Sequence, residues 1–176
     1  KILILGTVAF DTIETPHGKE DRVLGGSASY IGLSASQFDL QTSILSIVGD
    51  DFNSSFLNMF KSKNINVTSI QRVIGEKTFF WSGRYSSNMN ERETISTELN
   101  VLANFDPQVP KFFKNADILV LGNLAPSNQL SVIKQITNPT AFVVLDTMNF
   151  WMDNCLDDLL KVIKNVDVIT INDEEA

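Results

Sequence analysis

The sequence has very few of the side chains on which several common chemistries depend. It contains a single cysteine, Cys155, and a single histidine, His17. One cysteine cannot form an internal disulfide, and no CxxC pair is present to bind a metal. We expect Cys155 to be a small buried hydrophobe and His17 to be an exposed loop residue. Histidine-based metal centres and Ser-His-Asp catalysis therefore lack support.

Basic clusters and long apolar segments are also absent. The net charge is −7 and no run of five Lys or Arg residues occurs, so the chain lacks the basic face that a nucleic acid backbone requires. No apolar stretch reaches the roughly 18 residues that cross a bilayer. The first apolar run, 2–6, is too short for a signal peptide. We expect no nucleic acid partner, no membrane partner and a cytoplasmic location.

Two familiar nucleotide-binding patterns are missing as well. The sequence has no GxxxxGK[ST], which excludes a P-loop NTPase, and no GxGxxG follows the first apolar run. The main sequence evidence for a Rossmann-type oxidoreductase is therefore absent. An acidic chain can still bind ATP, because a few local hydrogen-bond donors and a metal ion determine whether ATP binds.

What the sequence does contain is a regular alternation of apolar runs with segments of helical periodicity. Hydrophobic residues make up 43% and charged residues 20% of the chain, which is typical of one globular domain. The predicted strands are 2–6, 43–48, 67–74, 117–122, 141–146 and 166–171, and the predicted helices are 27–38, 52–62, 129–136 and 157–164. Nearly all-apolar strands that alternate with helices predict an α/β fold of three layers, with a mostly parallel sheet covered on both faces.

Two segments, 11–24 and 76–99, interrupt this alternation and lack helical periodicity. Within the second, residues 78–85 and 92–99 are rich in β-forming residues and flank a polar turn, which is typical of a hairpin. Such strands fit poorly inside an α/β layer. We expect both segments to pair as an antiparallel sheet outside the main one, lying over a site.

Polar residues follow the predicted parallel strands at the edge where ligands gather in such sheets. They are Asp11, Asp50, Asn123, Asp146 and Asn172. The pair Gly25–Gly26 directly precedes the first predicted helix. Two glycines let the backbone approach a ligand, and a helix start offers free N–H groups, but a plain turn before a serine N-cap has the same pattern.

Five motifs, taken in order, resemble the ribokinase-like (PfkB) family of carbohydrate and nucleoside kinases over nearly the whole chain. The motifs are Gly6 followed by Asp11, the glycine pair with its helix at 25–36, Gly49–Phe52, Leu145–Asn149 and Asn172 with Glu175. Each motif alone is unspecific. The resemblance rests on their joint order and spacing.

This resemblance implies a kinase that transfers a phosphoryl group from ATP, with Mg²⁺, to an alcohol group of a small-molecule sugar or nucleoside. It implies that Asp11 accepts hydrogen bonds from substrate hydroxyls and that Gly25 and Gly26 bring the backbone close to the sugar. Asn172 and Glu175 would place Mg²⁺ and the triphosphate, with Glu175 acting on the metal through water. From its position alone, Glu175 could equally be a carboxylate that complements a helix start.

The resemblance also assigns the segments 11–24 and 76–99 to the family's β-lid, which closes over the substrate and excludes water. Lid strands often pair between subunits in this family. The resemblance is therefore compatible with a homodimer through the lid, which the residues themselves do not indicate.

Two departures from the family pattern affect this assignment. Tyr30 stands where the family often has a substrate-binding asparagine, so the contact at this substrate-binding position differs. No GxGD motif, which carries the family's catalytic base, occurs in the chain. In the family that motif lies beyond NxxE, so we expect residues 1–176 to be the amino-terminal part of one ribokinase-like domain, with no catalytic residue of its own and no activity alone. The alternative is a non-catalytic domain, derived from such a kinase, that binds a sugar or nucleoside.

Overall fold

The structure is a computed structural model that describes residues 1–89, 91–173 and 175–176. Asn90, in the predicted hairpin turn, and Glu174, inside the last motif, lie outside the described residues. The strands are β1 (Ile2–Leu5), β2 (Ala9–Thr15), β3 (Gly18–Gly25), β4 (Thr42–Gly49), β5 (Ile65–Asn66), β6 (Ile70–Val73), β7 (Phe80–Tyr85), β8 (Arg92–Glu98), β9 (Ile118–Leu121), β10 (Phe142–Asp146) and β11 (Val168–Thr170). The helices are α1 (Ser27–Ala35), α2 (Ser54–Ser62), α3 (Pro126–Gln135), α4 (Asn149–Asn154) and α5 (Leu156–Ile163), with 3-10 turns at Asn100–Asn104 and Lys111–Phe113.

The main sheet has the strand order β11-β10-β9-β1-β4-β5, and β6 also pairs with β4. Every neighbouring pair is parallel. Strand β1 lies inside the sheet and is buried along its whole length, which explains why its sequence is a continuous apolar run.

Side chains of β1 alternate between two cores, as the two-residue period of a strand requires. Leu3 belongs to a core that includes Val132 of α3. Its neighbour Ile4 belongs to a second core that includes Phe60 of α2. Helices therefore cover both faces of the sheet, and the predicted three-layer α/β fold is confirmed.

A second sheet of four strands, ordered β3-β2-β7-β8, is built from the two irregular segments. The pairs β2–β3 and β7–β8 are antiparallel hairpins, but β2 and β7 pair in parallel. The prediction of antiparallel pairing was therefore wrong for the central pair. Both strands leave the carboxyl edge of the main sheet, β2 after β1 and β7 after Thr78, which is tied to Asp51 beyond β4. Strands that leave one edge side by side run in the same direction.

The attachment between the two sheets centres on Asp51. Its carboxylate accepts hydrogen bonds from the N–H and the hydroxyl of Thr78 at 2.8 and 2.7 Å, and it pairs with Arg22 at 2.7 Å. Arg22 has a φ of +49° beside an irregularity in the β2–β3 pairing, and its guanidinium lies 4.4 Å from the centre of the Phe10 ring. These contacts hold the starts of both hairpins against the main sheet.

Element boundaries differ from the predicted ones for local reasons. Helix α2 begins after Asn53, whose side chain accepts a backbone hydrogen bond at 2.8 Å and so caps the helix. Only β6 falls within the predicted strand 67–74, because β5 ends at Asn66 and a turn follows, in which the Asn66 side chain accepts a backbone N–H at 2.9 Å. Helix α4 was not predicted.

The single histidine and cysteine take part in neither sheet. His17 is exposed in the turn between β2 and β3, as expected. Cys155 is only partly buried, contrary to expectation, because it is the junction residue between α4 and α5. Among the residues that the structure describes, no helix is both long enough and apolar enough to cross a bilayer.

Candidate functional site

Asp11 lies on β2, where the second sheet joins the carboxyl edge of the main sheet. Its carboxyl group packs directly against the Cα of Gly25, since a Cβ at residue 25 would overlap both carboxyl oxygens. The backbone N–H of Gly26 donates a hydrogen bond to the same carboxyl group. Glycine at position 25 therefore leaves the space that the Asp11 carboxylate occupies.

Burial raises the pKa of Asp11 to about 6, and the hydrogen bond from the Gly26 N–H opposes this rise only in part. The group is therefore mostly ionised at neutral pH. An ionised carboxylate is purely an acceptor, with room for several hydrogen bonds. Asp11 is thus suited to binding hydroxyl groups of a ligand.

The loop between β1 and β2 is tied to the start of α1 by reciprocal hydrogen bonds. The Ser27 N–H donates to the Thr7 hydroxyl at 3.0 Å, and the Thr7 N–H donates to the Ser27 hydroxyl oxygen at 3.2 Å. The Ala28 N–H donates to the Thr7 carbonyl oxygen at 3.0 Å. Gly26 has a φ of +94°, and a Cβ there would overlap that carbonyl oxygen. Only glycine fits this position.

The first backbone N–H groups of α1 are already paired within the chain. Those of residues 26–30 bond to Asp11, to Thr7 or to the carbonyl oxygen of Gly26. Gly26, not Ser27, is the N-cap, and no side chain caps the helix. The serine N-cap interpretation is therefore wrong, and the N–H groups at this helix start are not free, because they hold Asp11 and the loop. That Gly25 and Gly26 bring the backbone close to a ligand stays a prediction.

Tyr30 is 57% exposed on the outer side of α1. Its hydroxyl donates to the carbonyl oxygen of Leu24 at 3.2 Å, one residue before the glycine pair. Its contact is therefore with the strand that carries Gly25 and not with the Asp11 carboxylate.

A second polar cluster forms around Asp146, the last residue of β10. Burial raises the pKa of Asp146, and the negative charge of Glu175 raises it further, while backbone N–H groups of Asn123 and Thr147 oppose the rise by donating hydrogen bonds. Glu175 thus lies close enough to Asp146 to repel it. Two carboxylates held together at a sheet edge favour a cation between them or nearby.

Asn172 and Glu175 are bonded to each other reciprocally. The Asn172 N–H donates to the Glu175 carboxylate at 3.1 Å, and the Glu175 N–H donates to the Asn172 side-chain oxygen at 3.0 Å. This reciprocal pattern is that of a capping box, but no helix follows it among the described residues. The Glu175 carboxylate lies where its charge acts on Asp146.

Sequence reasoning named Asn123 and the motif that contains Thr147, but it missed Gln129 and Trp151, which also lie around Asp146. Gln129 of α3 donates to the Asp146 carbonyl oxygen at 3.3 Å, and Trp151 of α4 donates to the Asn123 side chain at 2.7 Å. The Gln129 side-chain oxygen and the Thr147 hydroxyl are buried without a partner among the described residues. Buried polar atoms normally have partners, so this place suits a water or a ligand. The position of Thr147 directly after Asp146 was the one feature of the sequence that could have indicated these buried polar atoms.

The two clusters lie along the same edge of the main sheet. Strands β1, β9, β10 and β11 are consecutive neighbours, with Asp11 beyond β1 and Glu175 beyond β11. Neighbouring strands lie about 4.8 Å apart, so three steps separate the two ends by about 14 Å. The two clusters therefore mark two separate places along this edge.

The two carboxylates of the cluster around Asp146, those of Asp146 and Glu175, suit one kind of metal ion better than others. Within the described part of the chain, no group of three or more His, Cys, Asp or Glu side chains is arranged to hold a metal ion. Asp146 and Glu175 alone suit Mg²⁺, because this ion keeps several waters and takes further ligands from substrate phosphates. They do not fit a metal that needs an all-protein cage.

Comparisons with known proteins agree with this architecture. The sequence pattern described as pfkB family carbohydrate kinase matches residues 5–176. A cytidine kinase from Thermococcus kodakarensis is 20% identical over 179 residues, which cover 99% of this chain and 62% of that protein.

Solved structures with the same fold include two nucleoside kinases. The Burkholderia thailandensis nucleoside kinase in complex with inosine has a TM-score of 0.81 at 14% identity, over 100% of this chain and 62% of that one. The Methanocaldococcus jannaschii nucleoside kinase, described as an archaeal member of the ribokinase family, has a TM-score of 0.72 at 18% identity, over 99% and 61%. The chain thus spans about 62% of the length of the relatives that it matches.

Proposed function

The chain belongs to the pfkB family of carbohydrate kinases, and on that premise we propose that the full-length protein is an ATP- and Mg²⁺-dependent kinase that phosphorylates an alcohol group of a nucleoside or sugar. The observation that carries this proposal is the half-buried Asp11 carboxylate, held in place by Gly25 and Gly26 at the ligand-bearing edge of the sheet. A carboxylate with unused acceptor capacity binds the hydroxyl groups of an alcohol acceptor and orients one of them for reaction.

The other end of the edge would receive the nucleotide. Glu175 would bind Mg²⁺ through water, with Asp146 nearby and Asn172 holding Glu175 in position. A bound Mg²⁺ neutralises charge on the transferring phosphoryl group. The catalytic base that takes the acceptor proton is assigned to the GxGD motif that the family resemblance implies beyond Glu175.

The second sheet would serve as the lid. It is anchored at Asp51 and carries Asp11 near its base, so closure of its outer part over an acceptor bound at Asp11 would exclude water. The edge strands β3 and β8 are largely exposed, and such edges pair readily with another chain. This supports the proposal of a homodimer through the lid.

Nucleosides are the favoured acceptors. The similar proteins include a cytidine kinase and nucleoside kinases, one of them in complex with inosine. The test is acceptor-dependent ADP formation by the full-length protein, with a panel of nucleosides and free sugars. ADP that forms only with acceptor, ATP and Mg²⁺ together supports the proposal, and equal ADP release with and without every acceptor refutes it.

Glu175→Gln should raise the Mg²⁺ concentration needed for half-maximal activity several-fold and leave acceptor affinity nearly unchanged. Glutamine keeps the capping geometry with Asn172 but removes the charge that would act on the metal. The measurement is activity against free Mg²⁺ in the full-length protein. Asp153→Asn, an exposed neutralisation on α4, is the matched control. Superimposable Mg²⁺ curves for Glu175→Gln and the parent would leave Glu175 as a capping residue only.

A further inference from the structure

One face of the main sheet is covered from β1 to β10. Register partners on neighbouring strands form rows across this face, and the side chains of two such rows are all buried. The first row is Leu3, Leu119 and Val143, and the second is Leu5, Leu121 and Leu145. Helices α3 and α5 provide the cover, since their residues Val132, Leu159 and Val162 belong to the same core. Both faces of a parallel sheet are normally covered in this way.

The opposite face of the sheet is covered only in part. Register partners form rows here too, but the exposed fraction of the side chains rises along each row with distance from β1. It rises from 7% at Ile2 to 48% at Phe142, and from 0% at Ile4 to 38% at Val168. The residues between these ends are only partly buried. We call the part of this face on β9, β10 and β11 the bare face, and it consists of Ile118, Val120, Phe142, Val144 and Val168.

The helices of the described residues leave this area open. Ala28 of α1 and Phe60 of α2 are buried in the core on this side, together with residues of β1, β4 and β5. Helices α3, α4 and α5 pack against the core on the other side. The bare face therefore has no helix over it in the part of the chain that the structure describes.

The bare face continues into an apolar groove beside α1. Ile31, Ala35 and Phe38 follow one another at helical spacing and form one wall of this groove, and Ile2 of the sheet also lines it. Ile2 is the register partner of Ile118 on the bare face. The groove and the bare face thus join into one apolar surface, in which the sheet meets the side of a helix. A further helix packs into a surface of this shape.

The composition of the bare face indicates the chemistry of what covers it. All five of its residues are apolar, so its partner must present an apolar side as well. Parallel sheets with one face in water are unusual, and proteins that act as monomers rarely expose large contiguous apolar patches. The bare face is therefore an interface and not a solvated surface.

The matched relatives indicate where the partner comes from. The chain spans about 62% of the length of the cytidine kinase and of the inosine-bound nucleoside kinase, so more than a third of each has no counterpart in residues 1–176. Strand β11 forms the edge of the main sheet and contributes Val168 to the bare face. Residues that follow β11 in the full-length protein would therefore start beside the open area.

We propose that residues after Ala176 in the full-length protein pack, through helices with an apolar side, on the bare face and in the groove beside α1. The interface lies within one chain, so residues 1–176 and the part that follows form one cooperative unit instead of two separable domains. This inference goes beyond the proposed function and does not depend on the kinase assignment, because it uses only the fold and the share of the relatives that the chain spans.

The first test is the rate of thiol labelling in the full-length protein, with Cys155→Ser as the background. Phe142→Cys should be labelled roughly tenfold or more slowly than Phe112→Cys, because a covered site reacts only when the structure opens locally. Phe112 is the matched control, since it is 59% exposed and its ring contacts Phe113, which belongs to the core on the other side of the sheet. If Phe142→Cys fails to fold, Val168→Cys gives the same comparison. Equal labelling rates would show that the bare face is open and overturn the inference.

The second test distinguishes the chain's own residues from a second copy of the protein. Phe142→Asp should lower the Tm of the full-length protein by roughly 5 °C or more, because it places a charge in a covered apolar interface, and it should leave the molecular mass in sedimentation unchanged. Phe112→Asp, the control, should change the Tm little. A fall in mass from two chains to one at an unchanged Tm would show that a second copy covers the bare face. That result, or no change in either quantity, would overturn the inference, and neither readout measures phosphoryl transfer.

Discussion

Asp11→Ala in the full-length protein is expected to weaken acceptor binding by roughly tenfold or more, while ATP binding changes little. A buried hydrogen bond to a charged group contributes roughly 1.5–3 kcal/mol, and Asp11 is the carboxylate that the Gly25–Gly26 pair holds at the acceptor end. The measurement is the dissociation constant for acceptor and for ATP, together with the KM for each. Asp39→Ala, an exposed residue between α1 and β4, is the control.

The same carboxylate should make acceptor binding depend on pH. Burial raises the pKa of Asp11 to about 6, so the ionised acceptor form is lost as the pH falls through about 6. Acceptor affinity should therefore be full above this pH and decline below it, with no matching decline in Asp11→Ala. An unchanged acceptor affinity in Asp11→Ala, or a wild-type affinity that is flat between pH 5 and 7, would remove Asp11 from the site.

Asp11 should also lower the stability of the fold at neutral pH. Because the pKa of its carboxyl group is raised in the folded state, the folded protein binds this proton more tightly than the unfolded chain does. This destabilisation is absent at a pH below the pKa that Asp11 has in the unfolded chain, and it is fully present above a pH of about 6. Asp11→Asn should therefore gain about 1 kcal/mol in unfolding free energy at pH 7, after allowance for partial exposure, and this gain should shrink as the pH falls toward 4.

Gly26→Ala is expected to destabilise the fold by about 3 kcal/mol or more. Gly26 has a φ of +94° and a ψ of 143°, which side chains rarely adopt, and the new methyl group would overlap the Thr7 carbonyl oxygen. That oxygen cannot move away easily, because it accepts the Ala28 N–H at 3.0 Å. Acceptor binding should fall as well, since the Gly26 N–H holds the Asp11 carboxylate.

Gly75→Ala separates backbone strain from steric overlap. Gly75 has a φ of +80°, but nothing lies within 4 Å of the Cβ that alanine would add. Gly75→Ala should lower the free energy of unfolding by about 1 kcal/mol, which is the strain of the left-handed conformation alone. Chemical denaturation of both variants makes the comparison. If Gly26→Ala and Gly75→Ala lose the same unfolding free energy, the overlap with the Thr7 carbonyl oxygen has no effect. The loop between β1 and β2 would then be less rigid than its hydrogen bonds indicate.

The main sheet was predictable because its strands are buried on both faces, so each one reads as a short apolar run. Residues 2–6 and 117–122, for example, contain the adjacent strands β1 and β9. The polar residues at the strand ends followed from the same reasoning. Asp146 and Glu175 meet because neighbouring parallel strands bring their carboxyl ends to one edge.

Features that depend on contacts between distant segments were not predictable. The parallel pairing of β2 with β7 follows from where both strands leave the main sheet, which no local pattern records. The pair Gly25–Gly26 was singled out for close approach of the backbone to a ligand and for its N–H groups, whereas the space that it leaves for Asp11 and for the Thr7 carbonyl group was not predicted.

The most direct measurement is ³¹P NMR of the full-length protein with ATP, Mg²⁺ and the nucleoside that it binds most tightly. Unlike ADP release, the spectrum distinguishes transfer to an alcohol from hydrolysis. A phosphomonoester signal that appears as the γ-phosphate signal declines, and that needs the acceptor, is the predicted result. Binding of the nucleoside with no phosphomonoester formed, or with inorganic phosphate as the product, would contradict the kinase assignment and favour a domain that binds nucleosides without phosphorylating them.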